Sequence, residues 1–262
     1  MIETATAYGL ELLVPPRDDG VGLCLRESGE FARVELELIL DACDGDLLDV
    51  GANIGAIGLP FASLRPDSKV VAIEANRKLS QILAANALNN RLSNVEVFHA
   101  VAGERSGRIE VPHAPIDRNG NIGMSSIYDK GYPTESVLMR TLDEIHPSNT
   151  RLVKIDVEGF EPRVLDGATN LLKSIRPVWL VEVSRIRPNT TALVREKLDH
   201  FGYTMYWFFS PFVSPKPGTR IDSRGDFLIY ASDSHPPWPM VEVSDDWPTG
   251  IEGLPYFSRY GF

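Results

Sequence analysis

Cysteine is scarce: Cys24 and Cys43 are the only two in 262 residues, too few for a disulfide framework, so a reduced setting and two ordinary buried thiols are expected. Basic side chains are in deficit, with 26 Lys and Arg against 36 Asp and Glu for a net charge of -10. That balance repels phosphate backbones, and the expectation is no nucleic acid partner, a local basic groove being the one exception. No apolar run approaches the roughly 18 residues of a spanning helix. The start Met1-Ile2-Glu3 lacks the basic and apolar regions of a signal peptide. The chain therefore reads as soluble and cytoplasmic, with no membrane partner. Repeats and low-complexity tracts are lacking too, which excludes solenoids and propellers. What is present is a 43% hydrophobic composition, enough for the large core of one α/β domain with elaborations.

From residue 47 onward, short β-rich apolar runs alternate with amphipathic stretches, the pattern of a parallel sheet covered on both faces. Residues 47–50 form the first expected strand and 70–73 the second, ending at Glu74; Asn76 then caps a helix whose Leu79, Ile82 and Leu83 recur at i, i+3 and i+4. Further strands are expected at 95–98, 152–156 and 178–182, with Val164, Leu165, Ala168, Leu171 and Leu172 making one helical stripe between the last two. After a helix around 192–201, the runs 203–209 and 227–230 are joined by a proline-broken loop without a helix, so they pair antiparallel. The expected fold is α/β and Rossmann-like: a mostly parallel seven-stranded sheet with a C-terminal antiparallel hairpin and helices on both faces. The aromatic run Tyr206-Trp207-Phe208-Phe209 reads first as core, with an acceptor wall or a dimer face as the other readings.

Three segments follow. Residues 1–46, with a hairpin and a helix around 31–42, are an N-terminal elaboration or lid. Residues 47–233 are the core, interrupted at 106–145 by a glycine-, asparagine- and proline-rich stretch expected to serve the acceptor side. Residues 234–262 are a tail rich in proline and tryptophan, expected to wrap the surface, where truncation costs packing rather than chemistry.

The turn Asp49-Val50-Gly51-Ala52-Asn53-Ile54-Gly55 follows the first strand, and Gly51 and Gly55 suit close approach of backbone to a ligand. Asp49 decides the ligand's charge: it repels a pyrophosphate and pairs with the cationic amino-acid end of S-adenosylmethionine. The dinucleotide fingerprint G-x-G-x-x-G also fails, because its second glycine is Asn53 here. Glu74 ends the second strand, where a carboxylate can accept both ribose hydroxyls of an adenosine cofactor. A plain structural turn and a solvated strand-end charge are the blander readings, outweighed by two carboxylates flanking one glycine turn. At the end of the third strand, His99, Ala100 and Val101 offer a wall for an adenine ring, although such a histidine is more often simply packed.

The fourth strand ends in Lys154-Ile155-Asp156-Val157-Glu158-Gly159-Phe160-Glu161. A covered parallel strand should be apolar, so a lysine and an aspartate at its end point to a site. Asp156 is the leading catalytic candidate. Glu182 ends the fifth strand in the equivalent place, so the two carboxylates can share a cleft and shift each other's titration.

Through Asp49-Val50-Gly51-Ala52-Asn53-Ile54-Gly55, Leu142-Asp143, the stretch from Val153 to Glu161 and Val181-Glu182, the chain resembles the FkbM family of methyltransferases over roughly residues 47 to 209. The resemblance implies a class I Rossmann-like methyltransferase fold, S-adenosylmethionine as donor, and a hydroxyl on a sugar or natural product as acceptor. Residue by residue, it implies Asp49, Gly51, Asn53 and Gly55 at the methionine end of the cofactor, Glu74 at the ribose and Asp156 near the reacting methyl. Ser125 and Ser126 resemble a serine pair on the substrate side. Pro60 departs from the family's usual look and should shorten or kink the helix after the turn.

Methyl transfer from a sulfonium is a direct displacement, so the expected mechanism has Asp156 or Glu158 take the acceptor's proton while Lys154 tunes local charge. Glu182 is expected on the substrate side. A divalent ion held by Asp156 and Glu182 is a variant that two carboxylates do not demand, so no metal is expected. A nicotinamide oxidoreductase on the same fold and a cofactor-binding domain without turnover are the alternatives; Asp49 and Asn53 oppose the first, intact Asp156 and Glu158 the second. Nothing in the sequence sets an oligomeric state.

Overall fold

Successive side chains of a strand point to opposite faces, and a sheet covered on both sides buries both sets. In the computed structural model, which describes residues 2–113, 115–117, 119–124, 126–216, 224–244, 246–248, 251 and 254–261, that alternation holds. Leu48, Val50, Val71, Ile73, Val153 and Ile155 pack on one face, while Leu47, Val70, Ala72, Leu152 and Leu180 pack on the other.

The antiparallel pair β1 (Glu3–Ala7) and β2 (Leu10–Val14) comes first, followed by α1 (Val21–Ser28) and α2 (Arg33–Ala42). Then come β3 (Asp46–Val50), α3 (Gly58–Leu64), β4 (Val70–Glu74), α4 (Arg77–Asn89) and β5 (Val95–His99). The interrupting stretch holds β6 (Val101–Ala102), β7 (Gly107–Pro112) and β8 (Thr134–Arg140), which form a small sheet of order β6-β8-β7 before α5 (Leu142–Ile145). The remainder is β9 (Thr150–Ile155), α6 (Glu161–Asp166), β10 (Val178–Val183), α7 (Pro188–His200), β11 (Thr204–Pro211), β12 (Gly225–Ser232) and β13 (Val241–Glu242).

The main sheet has the order β13-β11-β12-β10-β9-β3-β4-β5. From β5 to β10 every neighbouring pair is parallel, and β12 enters antiparallel between β10 and β11. The chain runs outward from β3 to β5 and returns to β9 on the other side of β3. This reversal opens a crevice beyond the carboxyl ends of β3 and β9, the usual ligand position in an open α/β sheet.

Three details differ from the expectations. The sheet has eight strands rather than seven, because two residues of the tail pair with β11; a two-residue strand is too short to show a period. The stripe from Val164 to Leu172 is split: α6 stops at Asp166, and a separate π turn spans Leu171–Ile175. A Cβ at Gly167 would lie 2.0 Å from the Gly103 carbonyl oxygen, and Asp143 accepts from the Asn170 and Leu171 amides at 2.8 and 3.0 Å, starting the second turn afresh. Finally, α3 begins only at Gly58, two residues before Pro60, so the proline sits within the first turn, where its missing N–H costs no helical bond.

The aromatic run is core: Tyr206, Trp207, Phe208 and Phe209 are all buried. The tail covers part of it, with Trp238 packed among Phe208 and Tyr256. At the other end of the chain, Asn86 of α4 accepts from Leu13 N (2.6 Å) and donates to the Leu13 and Ile54 carbonyls at 3.1 and 3.0 Å, tying β2 to the glycine turn. No helix among the described residues is long and apolar enough to cross a membrane.

Candidate active site

Residues leaving the carboxyl ends of β3, β4, β9 and β10 line one cavity of about 290 Å³. Asp49 to Asn53 of the glycine turn line it, whereas Gly55, expected at the cofactor, does not. Gly51 has φ 81°, and a Cβ there would lie 1.8 Å from the Asp156 carbonyl oxygen. Gly51 is thus required by the crossing of two strand exits, pinned where Asp156 N donates to Val50 O at 3.0 Å. Gly55, at φ 92°, lies under the turn, its missing Cβ facing Leu59 and Leu83 at 2.5 Å. Asn53 adopts φ 52°, a left-handed conformation that asparagine tolerates better than most residues, and its amide donates to Glu74 Oε2 at 2.9 Å.

Asp49 faces this cavity at 1% exposure. Neither of its carboxylate oxygens has a hydrogen bond; the Gly58 amide lies near and favours the ionised form, but outside hydrogen-bond geometry. Burial raises the Asp49 pKa, the Lys154 ammonium opposes this, and the Asp156 charge adds to it. Lys154 Nζ stands 3.9 Å from Asp49 Oδ1. A buried carboxylate left without a hydrogen bond has desolvation to recover, and an ammonium in the cavity fits it. Glu74 accepts from Asn76 N at 2.7 Å as well as from Asn53, and burial pushes it up to about 7. Each of its oxygens keeps a lone pair for a hydroxyl donor.

Beyond Asp49 lies a cluster of acids. Lys154, only 5% exposed, donates from Nζ to Asp156 Oδ2 at 3.2 Å. Burial alone would lower the Lys154 pKa, but Asp156, Glu35 and Asp49 outweigh it and hold the ammonium charged. Glu158, at φ 53°, accepts from Arg187 Nη2 at 2.7 Å; burial and the Asp156 charge lift it to about 7 against the pull of Arg187. Glu182 is raised well above the carboxylate range by burial, then by Asp156 and Glu158. One oxygen from each of Asp156, Glu158 and Glu182 lies within 4.8 Å of the other two.

Ala100 and Val101 line the cavity. His99 does not: its Nε2 lies 3.2 Å from the Ala75 carbonyl oxygen and 3.9 Å from Glu135 Oε1 on β8. Ser126 lines the cavity and donates from Oγ to the Glu158 carbonyl at 2.8 Å, whereas Ser125 lies outside the described residues. Three charged residues of the site carried no signal of their own in the sequence. Glu35 arrives from α2, Arg187 from the start of α7 and Asp226 from β12. Outside the cavity, Asp18 accepts from Gly22 N at 2.6 Å and Ile122 N at 3.0 Å, docking the interrupting loop against α1.

An open sheet with its crevice at the switch point and an acidic glycine turn define the class as a Rossmann-like methyltransferase fold. A family model described as the methyltransferase FkbM domain matches residues 49–205. The chain belongs to the FkbM methyltransferase family. It is 30% identical over 132 residues to the ribosomal RNA small subunit methyltransferase G of Pseudomonas aeruginosa, covering 49% of this chain and 55% of that protein. The Pseudomonas fluorescens counterpart is 39% identical over 57 residues, 22% of this chain and 27% of that protein. The chain thus spans between about a quarter and three fifths of the length of the curated relatives it matches. Among solved structures, the tRNA (uracil-54, C5)-methyltransferase of Pyrococcus abyssi, in complex with S-adenosyl-L-homocysteine, aligns with a TM-score of 0.50 at 15% identity over 88% of this chain and 44% of that one. Methyltransferase FkbM from Methylobacillus flagellatus aligns with a TM-score of 0.49 at 20% identity, over 73% and 44%.

These relatives overturn the expectation that nucleic acid is no partner: proteins sharing this core are named for acting on ribosomal RNA. Net charge averages a whole surface and does not set the sign of one groove, so -10 was too coarse a measure for that exclusion. The nicotinamide alternative receives no support from the comparisons.

Proposed function

We propose that this protein is an S-adenosylmethionine-dependent methyltransferase that transfers the methyl group to a hydroxyl on a sugar or small natural product. The observation that carries this reading is one cavity lined both by Asp49, whose buried carboxylate has no hydrogen bond, and by Asp156, with the Lys154 ammonium between them. When bound, the cofactor supplies a methyl group activated by the sulfonium. Asp49 takes its ammonium, Glu74 accepts the ribose hydroxyls through the lone pairs its backbone partners leave, and Ala100 and Val101 give the adenine an apolar wall.

An alcohol is a poor nucleophile until its proton leaves. Asp156 stands at the mouth of β9, half-buried and oriented by the Lys154 ammonium at 3.2 Å, and accepts that proton. Lys154, locked among Asp49, Glu35 and Asp156, keeps its charge and steadies the anion that develops. Glu182 and Ser126 border the acceptor side.

Calorimetric titration with S-adenosylmethionine tests the cofactor; no binding overturns it. Asp156→Ala is expected to bind the cofactor normally yet lose roughly 100- to 10,000-fold in turnover, and near-normal methylation by that variant removes Asp156 as the base. The acceptor screen covers hydroxylated sugars, small natural products and ribosomal RNA; transfer to RNA alone overturns the small-molecule acceptor.

A further inference from the structure

We infer that Asp156, Glu158 and Glu182 form a site for one hard divalent cation, open to the cavity at its acceptor end. They come from the end of β9, the turn after it and the end of β10, and the parallel pairing of β9 with β10 brings them together. Their three ligand oxygens lie within 4.8 Å of one another. Oxygens sharing a calcium ion at its usual 2.3–2.6 Å stand about 3.5 Å apart when adjacent and about 5 Å when opposed, and on magnesium about 3 and 4 Å. Side-chain rotation that draws the oxygens together by about an ångström meets the calcium or manganese spacing.

A separate observation points to a ligand. Glu182 is only 8% exposed and lines the cavity, yet among the described residues its carboxylate accepts no hydrogen bond and makes no ion pair. A buried carboxylate without a partner is costly to ionise, and a cation in the cavity removes that cost. Neither neighbouring cation bonds to Glu182: Lys154 binds Oδ2 of Asp156, and Arg187 binds Oε2 of Glu158, its charge reaching Glu182 only from a distance. Each of those two acids keeps its other oxygen, and Glu182 keeps both. Asp226 adds further negative charge beside Glu182. An ammonium would bring one positive charge to this basin, while a divalent ion brings two and prefers oxygen ligands.

The site rests on the geometry alone, whereas its consequence rests on the proposed methyl transfer. An acceptor hydroxyl bound to the cation loses its proton more readily, and the proton passes to a carboxylate of the cluster. Titration with Mn²⁺ alone, followed by electron paramagnetic resonance, tests the site. The expected result is one Mn²⁺ per chain, displaced by Mg²⁺ or Ca²⁺. Glu182→Gln should weaken Mn²⁺ by at least about tenfold while S-adenosylmethionine titrates as in the unaltered protein. The melting temperature of the unaltered protein should also rise with Mn²⁺ concentration, which decides the matter if the variant does not fold. No saturable Mn²⁺ binding, or equal binding in Glu182→Gln, overturns the site. Loss of S-adenosylmethionine binding with Mn²⁺ binding intact overturns the cofactor reading instead.

Discussion

Gly51 and Gly55 look alike within the turn, yet different neighbours make each of them glycine. At Gly51 the obstacle to a side chain is backbone, the Asp156 carbonyl oxygen at 1.8 Å, and φ is 81°. Gly51→Ala must move a strand exit, and we expect it to cost more than about 4 kcal/mol or to prevent folding. At Gly55 the obstacles are the buried side chains of Leu59 and Leu83, which can repack where backbone cannot, with φ 92°, so Gly55→Ala should cost less, roughly 2–4 kcal/mol. Urea unfolding of the two variants side by side checks the ranking, and equal losses would refute it. The motif was legible in the sequence because glycine is the residue that turns cheaply to positive φ. Which glycine faces the neighbouring strand exit and which faces a leucine pair was not, since those partners lie far away along the chain.

At the scale of elements, the tail is a structural cover. Tyr256 Oη accepts from Phe209 N at 2.8 Å and donates to Phe209 O at 2.9 Å, satisfying both backbone groups at that point of β11. Trp238 Nε1 donates to Asp41 Oδ2 at 2.8 Å while its ring packs in the core. Tyr256→Phe leaves buried backbone groups without partners and should cost about 1–3 kcal/mol; Trp238→Ala should cost about 3–5 kcal/mol. No described residue of the tail lines the cavity, so S-adenosylmethionine affinity measured by calorimetry should be unchanged in both variants. A tenfold loss of affinity would show that the tail reaches the site. The central strands and the helix capped by Asn76 were readable because burial imposes periods of 2 and 3.6 on the sequence. The split after α6 and the two-residue β13 escaped because neither contains a full period.

For the whole molecule, the buried acids give stability a pH dependence of unusual sign. Burial lifts Glu35 and Glu74 from an ordinary 4.5 to about 7. Between those values the folded chain holds protons that the unfolded chain has released, so stability falls as pH rises through this window, by up to roughly 3 kcal/mol per group. Glu35→Gln should flatten part of that slope in urea unfolding followed from about pH 4.5 to pH 7.5; an unchanged slope would show that Glu35 does not titrate there. The cause is global, since Glu35 on α2 meets Lys154 on β9 only once the sheet has formed. By itself, the sequence determined the alternating α/β pattern, the acidic glycine turn and the carboxylates at the ends of strands, because each is a local pattern in residue type. Tertiary structure alone decided that Asp156, Glu158 and Glu182 converge within 4.8 Å, that Asp49 has no hydrogen-bond partner, and that Arg187 and Asp226 join the site. Such distances follow from strand order and register, which only the packed sheet sets.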